Sequence, residues 1–444
     1  MPKSVKKLDS DVVVVGAGPG GCTVAKEMSK RGKKVILIEK GGTRERFINN
    51  RLDTLFRVEK EWNVGLLLRK TVEGDSLTLA HGVGGGTHVY LGSAFFPDLD
   101  YWKRYNVDIP QELVDEAVKE CWVSLPPDEF IGPGTRRIWE AANELGMQWI
   151  PLHRHVDFNK CKAGCEECMV ICRREAKWTA KVFAMEAVEQ GATLLTHLKV
   201  REAIIDNGVA VGVRAVGRGG RKYEITAKVI VCSAGGVHTA EILKRCGLEE
   251  AGSWFTGDPT SFSFGFVKEG RGNGFEHPMT VGYHDKKNGV LFSAMLMPYV
   301  GWHMQFIQDE HLHALRKLFR FRKTLSLFAK VSDEGTGQIT PDGKVSKTFT
   351  QRDWNRIKYG RETAERILVK AGCDPNDLHH TGLTLTHPSG TVRIGKLVDT
   401  NLESPIKNLY CCDTSVIPEA PGLPPVMTIV VLGKRLARHL QTIS

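Results

Sequence analysis

The stretch Asp11-Val12-Val13-Val14-Val15-Gly16-Ala17-Gly18-Pro19-Gly20-Gly21 decides the fold. Asp11 to Val15 is a short apolar run of the kind that forms a buried strand. Gly20 to Arg31 reads as a helix and Lys34 to Glu39 as a second strand, which together make a βαβ unit. Between strand and helix stands a GxGxxG turn. A tight turn needs Gly16, close approach of backbone to a pyrophosphate needs Gly18, and close packing of helix on strand needs Gly21; the helix N-terminus then meets the phosphate charge. Glu39 ends the second strand 23 residues after Gly16, where a carboxylate accepts hydrogen bonds from a ribose. This is a dinucleotide site, and the motif alone does not separate NAD from FAD.

Outward from that unit, the chain has 444 residues, 41% hydrophobic and 25% charged, a globular profile that suits one large core or two joined domains. No apolar run reaches the roughly 20 residues of a membrane-spanning helix. The longest candidate, Gly289 to Trp302, is shorter and contains Pro298. Met1 to Ser10 is polar and lysine-bearing without an apolar signal-peptide core, so a cytoplasmic location is expected. Eleven cysteines, an odd count, exclude a complete disulfide set and fit thiols or metal ligands in a reducing compartment. Lys and Arg outnumber Asp and Glu by 61 to 51, which favours an acidic protein partner, an anionic membrane surface or an anionic substrate. The basic residues are spread along the chain without a dense tract interleaved with aromatics, which argues against nucleic acid.

The rest of the chain falls into blocks, with no repeat period or low-complexity segment. Glycine-rich loops lie at Gly82 to Gly86 and Gly217 to Gly220. Thr193 to Val200, Ala203 to Val216 and Tyr223 to Cys232 look like successive strands, with Asn207-Gly208 and Arg218 to Gly220 supplying turns. Thr239 to Cys246 reads as a helix, and Thr260 to Met304 alternates loosely, as an antiparallel sheet would.

Three further blocks resemble the glucose-methanol-choline (GMC) oxidoreductases. They are His81-Gly82-Val83-Gly84-Gly85-Gly86-Thr87, then Val229 to Gly236, then a C-terminal run from His387 to Leu436. That run includes His387-Pro388-Ser389-Gly390-Thr391, Asn408 to Pro418, Pro425 and Thr428. The resemblance implies an α/β fold with a discontinuous Rossmann-type FAD-binding domain and an inserted, mainly antiparallel-sheet substrate domain. FAD-binding parts are expected at residues 8–97, 181–250 and 385–444, a cap segment at 98–156, a cysteine-rich segment at 157–180 and the substrate domain at 251–384. It implies FAD contacts from Gly16, Gly18, Gly21, Glu39, Lys40, Gly84, Gly85, Thr87, Val200, Ala234, Gly235, Asp413 and Thr428. His88 adjoins the loop where some relatives attach FAD covalently, but Val89 falls at the linking position, so noncovalent FAD is expected.

His387 falls on the family's catalytic position. To oxidise an alcohol a flavin takes a hydride from carbon while a base takes the hydroxyl proton, and the unperturbed pKa of His lies nearest neutrality. His379, His380, His238 and His88 compete for the role. One departure stands close by: where the family usually has a second polar residue, Asn or His, this chain has Pro424, whose side chain neither donates nor accepts.

Cys161, Cys165, Cys168 and Cys172 put four thiols within twelve residues. Such density suits a metal centre, and the close spacings resemble iron-sulfur ligation more than a zinc ribbon; a 4Fe-4S cluster is the expectation, with zinc and ordinary thiols as alternatives. Some GMC relatives have a cysteine-rich segment here followed by Lys and a helix, which Lys177 and Trp178 to Gln190 match. Cys22, Cys232, Cys246, Cys411 and Cys412 sit in apolar or strand contexts as ordinary buried thiols. In His311 to Lys330, leucines at helical spacing beside basic residues suit an amphipathic helix, with docking of an acidic ferredoxin or a membrane as its functional reading.

The function expected is an FAD-dependent dehydrogenase that removes hydride from a hydroxylated organic substrate and passes electrons through the cluster to a carrier protein or partner subunit. A reductase of a carbonyl or activated double bond, and an electron-transfer subunit of a larger complex, are the alternatives.

Overall fold

The computed structural model describes residues 5–43, 65–165, 167–169, 172–296 and 320–443. Two sheets organise the chain. In the first, Lys6–Val15 pairs in parallel with Val35–Ile38 on one side and Lys222–Cys232 on the other. Val12, Val13, Val14 and Val15 are all buried, and a parallel strand covered on both faces reads as a continuous apolar run instead of an alternation. Thr193–Leu195 extends one edge in parallel, the antiparallel strands Val209–Gly217 and Leu198–Asp206 extend the other, and Leu409–Cys411 pairs in parallel with Lys222–Cys232.

The hairpin turn falls at Asn207-Gly208 (φ 49° and 81°) as the sequence reading has it, but the preceding break falls at His197 (φ 56°) and not after Val200; all three residues are in the left-handed region that ends a strand or turns a hairpin. Val200 therefore begins no gap; it lies inside Leu198–Asp206. The first helix, Pro19–Lys30, packs on the C-terminal helix Val426–Ile443 and on Lys181–Glu189. Lys434, its side chain 2% exposed, stands between Glu27 at 3.0 Å, Glu120 at 2.9 Å and Glu116 at 3.1 Å, pinning the two ends of the chain together.

Among the described residues the second sheet has nine strands, eight of them in the order Gly65–Lys70, Ser76–His81, Thr384–Leu385, Pro259–Val267, Thr324–Val331, Val290–Ala294, Val281–Asp285 and Ile150–Pro151. Cys373–His380 also pairs with Pro259–Val267. Most of these pairings are antiparallel. Leu325, Leu327, Ala329 and Val331 pack with the helix Gln351–Lys370, while Phe328 belongs to a separate cluster with Phe264, Phe266, Leu291 and Met295. The two-residue period of a strand puts Lys330 on the Phe328 face. Thr350 and Asp353 form a capping box that starts the Gln351–Lys370 helix.

The amphipathic helix expected over His311 to Lys330 is corrected where it is described. Residues 311–319 lie outside the described residues; Arg320 opens a single tight turn, and Thr324–Val331 is a strand buried at every position. Arg320 pairs with Asp377 at 2.8 Å. Among the described residues no helix is long and apolar enough to cross a membrane.

Candidate active site

Both sheets contribute to the wall of one cavity of about 650 Å³. At the Rossmann turn, Gly16 has φ 101°, and a Cβ there would stand 2.2 Å from the Ser233 carbonyl oxygen. A Cβ on Gly21 would meet the Gly16 oxygen at 2.0 Å, so Gly21 sits beneath the helix and away from the cavity lining. Gly18 is the opposite case. Nothing lies within 4 Å of its would-be Cβ, it lines the cavity, and it precedes the first helical turn, leaving room and backbone N–H groups for a pyrophosphate.

Glu39 is buried (6% exposed) and holds the loops together. Oε2 accepts from the Ala17 amide at 3.0 Å, and Oε1 accepts from Gly41 at 2.8 Å and Gly82 at 3.1 Å. A carboxylate offers about four acceptor sites, so room remains for one ribose hydroxyl. Beside it Lys40 Nζ stands 2.5 Å from His238 Nε2. Burial brings Lys40 down to about 8, and burial followed by the Lys40 charge holds His238 well below its ordinary value.

The second glycine block lies against the first. A Cβ on Gly85 would reach the Gly18 Cα at 2.8 Å. Thr87 donates to the Gly84 oxygen at 2.6 Å and accepts from the Ala180 amide at 2.9 Å. Gly85, Thr87, Val89, Val200, Ala234 and Gly235 line the cavity; Gly84 and Thr428 do not, the C-terminal helix presenting Val426 and Ile429 instead. Asp413 lines it too, but its oxygens are taken by the Gly235 amide, the Thr239 hydroxyl and the Ser415 amide. Its part is to shape the loop, and burial raises its pKa.

Thr386, His387, Lys330 and Pro424 line the same cavity together with Leu91, Phe262, Met279, Met295 and Phe328. His387 Nδ1 is 3.0 Å from Asp258 Oδ2 and 3.3 Å from Lys330 Nζ, which also donates to Thr386 Oγ1 at 2.6 Å. The His387 side chain is 21% exposed, and its committed nitrogen is Nδ1. Burial, then the Lys330 charge, holds its pKa well below the ordinary value, so the ring is neutral at neutral pH. Of the competing histidines, His238 lines the same cavity at its Glu39–Lys40 end, and His379, His380 and His88 lie outside its wall. His379 stacks on Phe264 and pairs with Asp377, His380 bridges Ser263 and Glu365, His88 lies under Gly84, and His238 stands beside Lys40.

Asp258 and Lys330 escaped the sequence reading. A lysine inside a wholly buried apolar strand was the available signal for Lys330, since buried lysines are rare unless paired. The sequence pattern alone places it at the end of an amphipathic helix. Asp258 has no motif around it; only the structure shows its left-handed φ of 48° and its 2% exposure.

Two of the four cysteines flank one histidine. Cys161 Sγ lies 3.8 Å from Nε2 of His277 and Cys168 Sγ lies 3.8 Å from its Nδ1, so the imidazole is wedged between two of the sulfurs. The Arg154 guanidinium stands 3.6 Å from Cys168 Sγ. Among the described residues no group of three or more His, Cys, Asp or Glu side chains could hold a metal ion. The expected iron-sulfur cluster thus gains no support from the described residues. What the loop does touch is the cavity wall, for Lys177 Nζ binds the carbonyls of Cys168 at 2.7 Å, His88 at 2.9 Å and Tyr90 at 3.2 Å.

A Rossmann turn, a second glycine loop and a histidine facing one shared cavity define an FAD-dependent oxidoreductase acting on alcohol-type substrates. The models of the GMC oxidoreductase N- and C-terminal regions match residues 10–262 and 331–433, and the chain belongs to that family. An uncharacterised protein of Methanocaldococcus jannaschii is 27% identical over 97% of this chain and 99% of its own length. A long-chain-alcohol oxidase of Arabidopsis thaliana is 26% identical over 96% of this chain and 66% of its own. The crystal structure of pyridoxine 4-oxidase from Mesorbium loti superposes with a TM-score of 0.71 at 16% identity, covering 98% and 99% of the two chains.

Proposed function

We propose that the protein oxidises the CH–OH group of an apolar or aromatic alcohol, with His387 as the base. The observation that carries this is the commitment of His387 Nδ1 to Asp258, which turns Nε2 to a cavity walled by Phe262, Phe328, Met279, Met295 and Leu91. Bound FAD supplies the acceptor for the hydride. Gly18, Glu39, Lys40, Gly85, Thr87, Val200, Ala234 and Gly235 would hold it, with Gly16, Gly21, Gly84 and Asp413 shaping the loops around it. The apolar walls exclude water and orient the substrate carbon, while neutral His387 takes the hydroxyl proton at Nε2. The alcohol oxidase and pyridoxine oxidase likenesses support the reaction class. A screen of anaerobic flavin bleaching tests it: primary alcohols with alkyl or aryl tails should bleach the flavin. Bleaching by sugars alone, or by none of these, would sink the reading.

The electron acceptor is a separate proposal. The spacing of Cys161, Cys165, Cys168 and Cys172 supports a cluster that hands electrons to a carrier, and Lys177 ties their loop to the cavity wall; the arrangement of the thiols does not support it. Protein prepared without oxygen should contain about four irons and four sulfides per chain, lost in Cys168→Ser. Absence of iron would remove the proposal and leave oxidation of the alcohol untouched.

A further inference from the structure

Two side chains face one nitrogen. Asp258 Oδ2 at 3.0 Å and Lys330 Nζ at 3.3 Å both address Nδ1 of His387, which presents either a proton or a lone pair, never both. Bonding to the carboxylate requires Nδ1–H and leaves the Nε2 lone pair toward the cavity. Accepting from the ammonium requires the reverse tautomer, with the proton on Nε2 and no base facing the substrate. The rivals differ in what else they can reach: Lys330 has Thr386 Oγ1 at 2.6 Å, whereas Oδ1 of Asp258 is buried without a hydrogen-bond partner among the described residues.

We infer that Asp258 and Lys330 are positioning residues that select the tautomer of His387: ionised Asp258 makes Nε2 the base, and protonation of Asp258 hands Nδ1 to Lys330 and switches the base off. The inference rests on the proposed role of His387 as base. It also accounts for Pro424, because a site that sets its base from behind has less need of a second polar group in front.

The surroundings fit. Burial raises the Asp258 carboxyl well above the ordinary carboxylate range, opposed by the Lys330 charge and by the Gly422 amide, and burial lowers Lys330, opposed by Asp258. The other charged groups near Asp258 are Asp333, whose carboxylate accepts from the Asp258 amide at 2.9 Å, and Lys347, paired with Asp333 at 2.8 Å. The Asp258 charge in turn raises Asp333, and Lys330 is the charge that helps to keep Asp258 ionised. With His387 itself held neutral, the state that changes with pH is the position of its proton and not its charge.

The tautomer can be read directly in holoenzyme carrying 15N-labelled histidine, with His387→Ala assigning the signal. At mildly alkaline pH the proton should sit on Nδ1; on acidification, and at every pH in Asp258→Asn, it should sit on Nε2. The same tautomer in wild type and Asp258→Asn, or no change on acidification, overturns the inference. Flavin reduction by benzyl alcohol adds a second reading. Asp258→Asn should slow it by roughly 100- to 10,000-fold, the range for a positioned base. Lys330→Met should keep the maximal rate within about tenfold and move the acid limb of the pH profile upward, with Lys330→Arg restoring the limb. A fall in maximal rate without movement of the limb would make Lys330 merely structural. Should His387→Ala reduce flavin at the wild-type rate, the base itself is misassigned; slow His387→Ala with an unchanged tautomer in Asp258→Asn defeats only this inference.

Discussion

At the scale of single residues, two substitutions separate chemistry from architecture. His387→Ala should retain FAD and yet slow reduction of the flavin by roughly 100- to 10,000-fold, with reoxidation by an artificial acceptor little changed, as rapid mixing would show. Equal bleaching rates would return His387 to a structural role. Glu39→Ala should do something different. It leaves the amides of Ala17, Gly41 and Gly82 without their acceptor, and an unsatisfied buried donor costs about 1–3 kcal/mol. The apoprotein should therefore melt lower as well as bind FAD more weakly. Unchanged apoprotein melting would mean that Glu39 serves the ribose alone.

At the scale of elements, the loop after Thr324–Val331 is held by a buried ion pair. Lys347 and Asp333, both fully buried, stand 2.8 Å apart. Removing one member of such a pair costs about 3–5 kcal/mol, so Lys347→Met should be strongly destabilising. The sign with pH follows from Asp333. Burial, against the Lys347 charge, pushes its carboxyl up to about 6 from 3.8. The native state then holds the proton more tightly than the unfolded state, and stability from this group is gained as pH falls through that window. The penalty in Lys347→Met should be largest above neutrality and shrink in mild acid, measured by thermal melting at several pH values. A pH-independent loss would contradict the assignment.

The same elements show what the sequence could tell. Val12 to Val15, the GxGxxG turn and Asn207-Gly208 are local signals, because a buried parallel strand, a phosphate turn and a tight hairpin each restrict a few adjacent residues. His387 was legible through its block. Asp258 and Lys330 were not, since they meet His387 through pairing of Pro259–Val267 with Thr324–Val331, a contact between segments about 70 residues apart that no local pattern encodes. The cysteine spacing was legible as well, but spacing fixes only which sulfurs are near in sequence; His277, more than a hundred residues away, decides what stands between them.

At the scale of the whole molecule, a cavity walled by both sheets makes FAD part of the structure. A ligand that binds only the folded state at about 100 times its dissociation constant stabilises by about 2.7 kcal/mol. Calorimetry with added FAD should show one transition moving upward as a unit. Two transitions, only one of them responding, would mean that the sheets unfold separately and that the cofactor belongs to one of them.

The order of the cavity wall along the chain has a consequence for biosynthesis. Its segments begin at Val15 and end at Ile429, on the helix that packs against the first helix. At about 5–20 residues per second, roughly 20–80 seconds separate synthesis of the phosphate turn from synthesis of the segment that closes over it. During that interval the nascent chain offers FAD a turn without a lid. Cofactor loading therefore waits for the Val426–Ile443 helix, and a ribosome that stalls before that helix is made leaves a chain with its first strand and glycine turn in place and nowhere to keep a flavin.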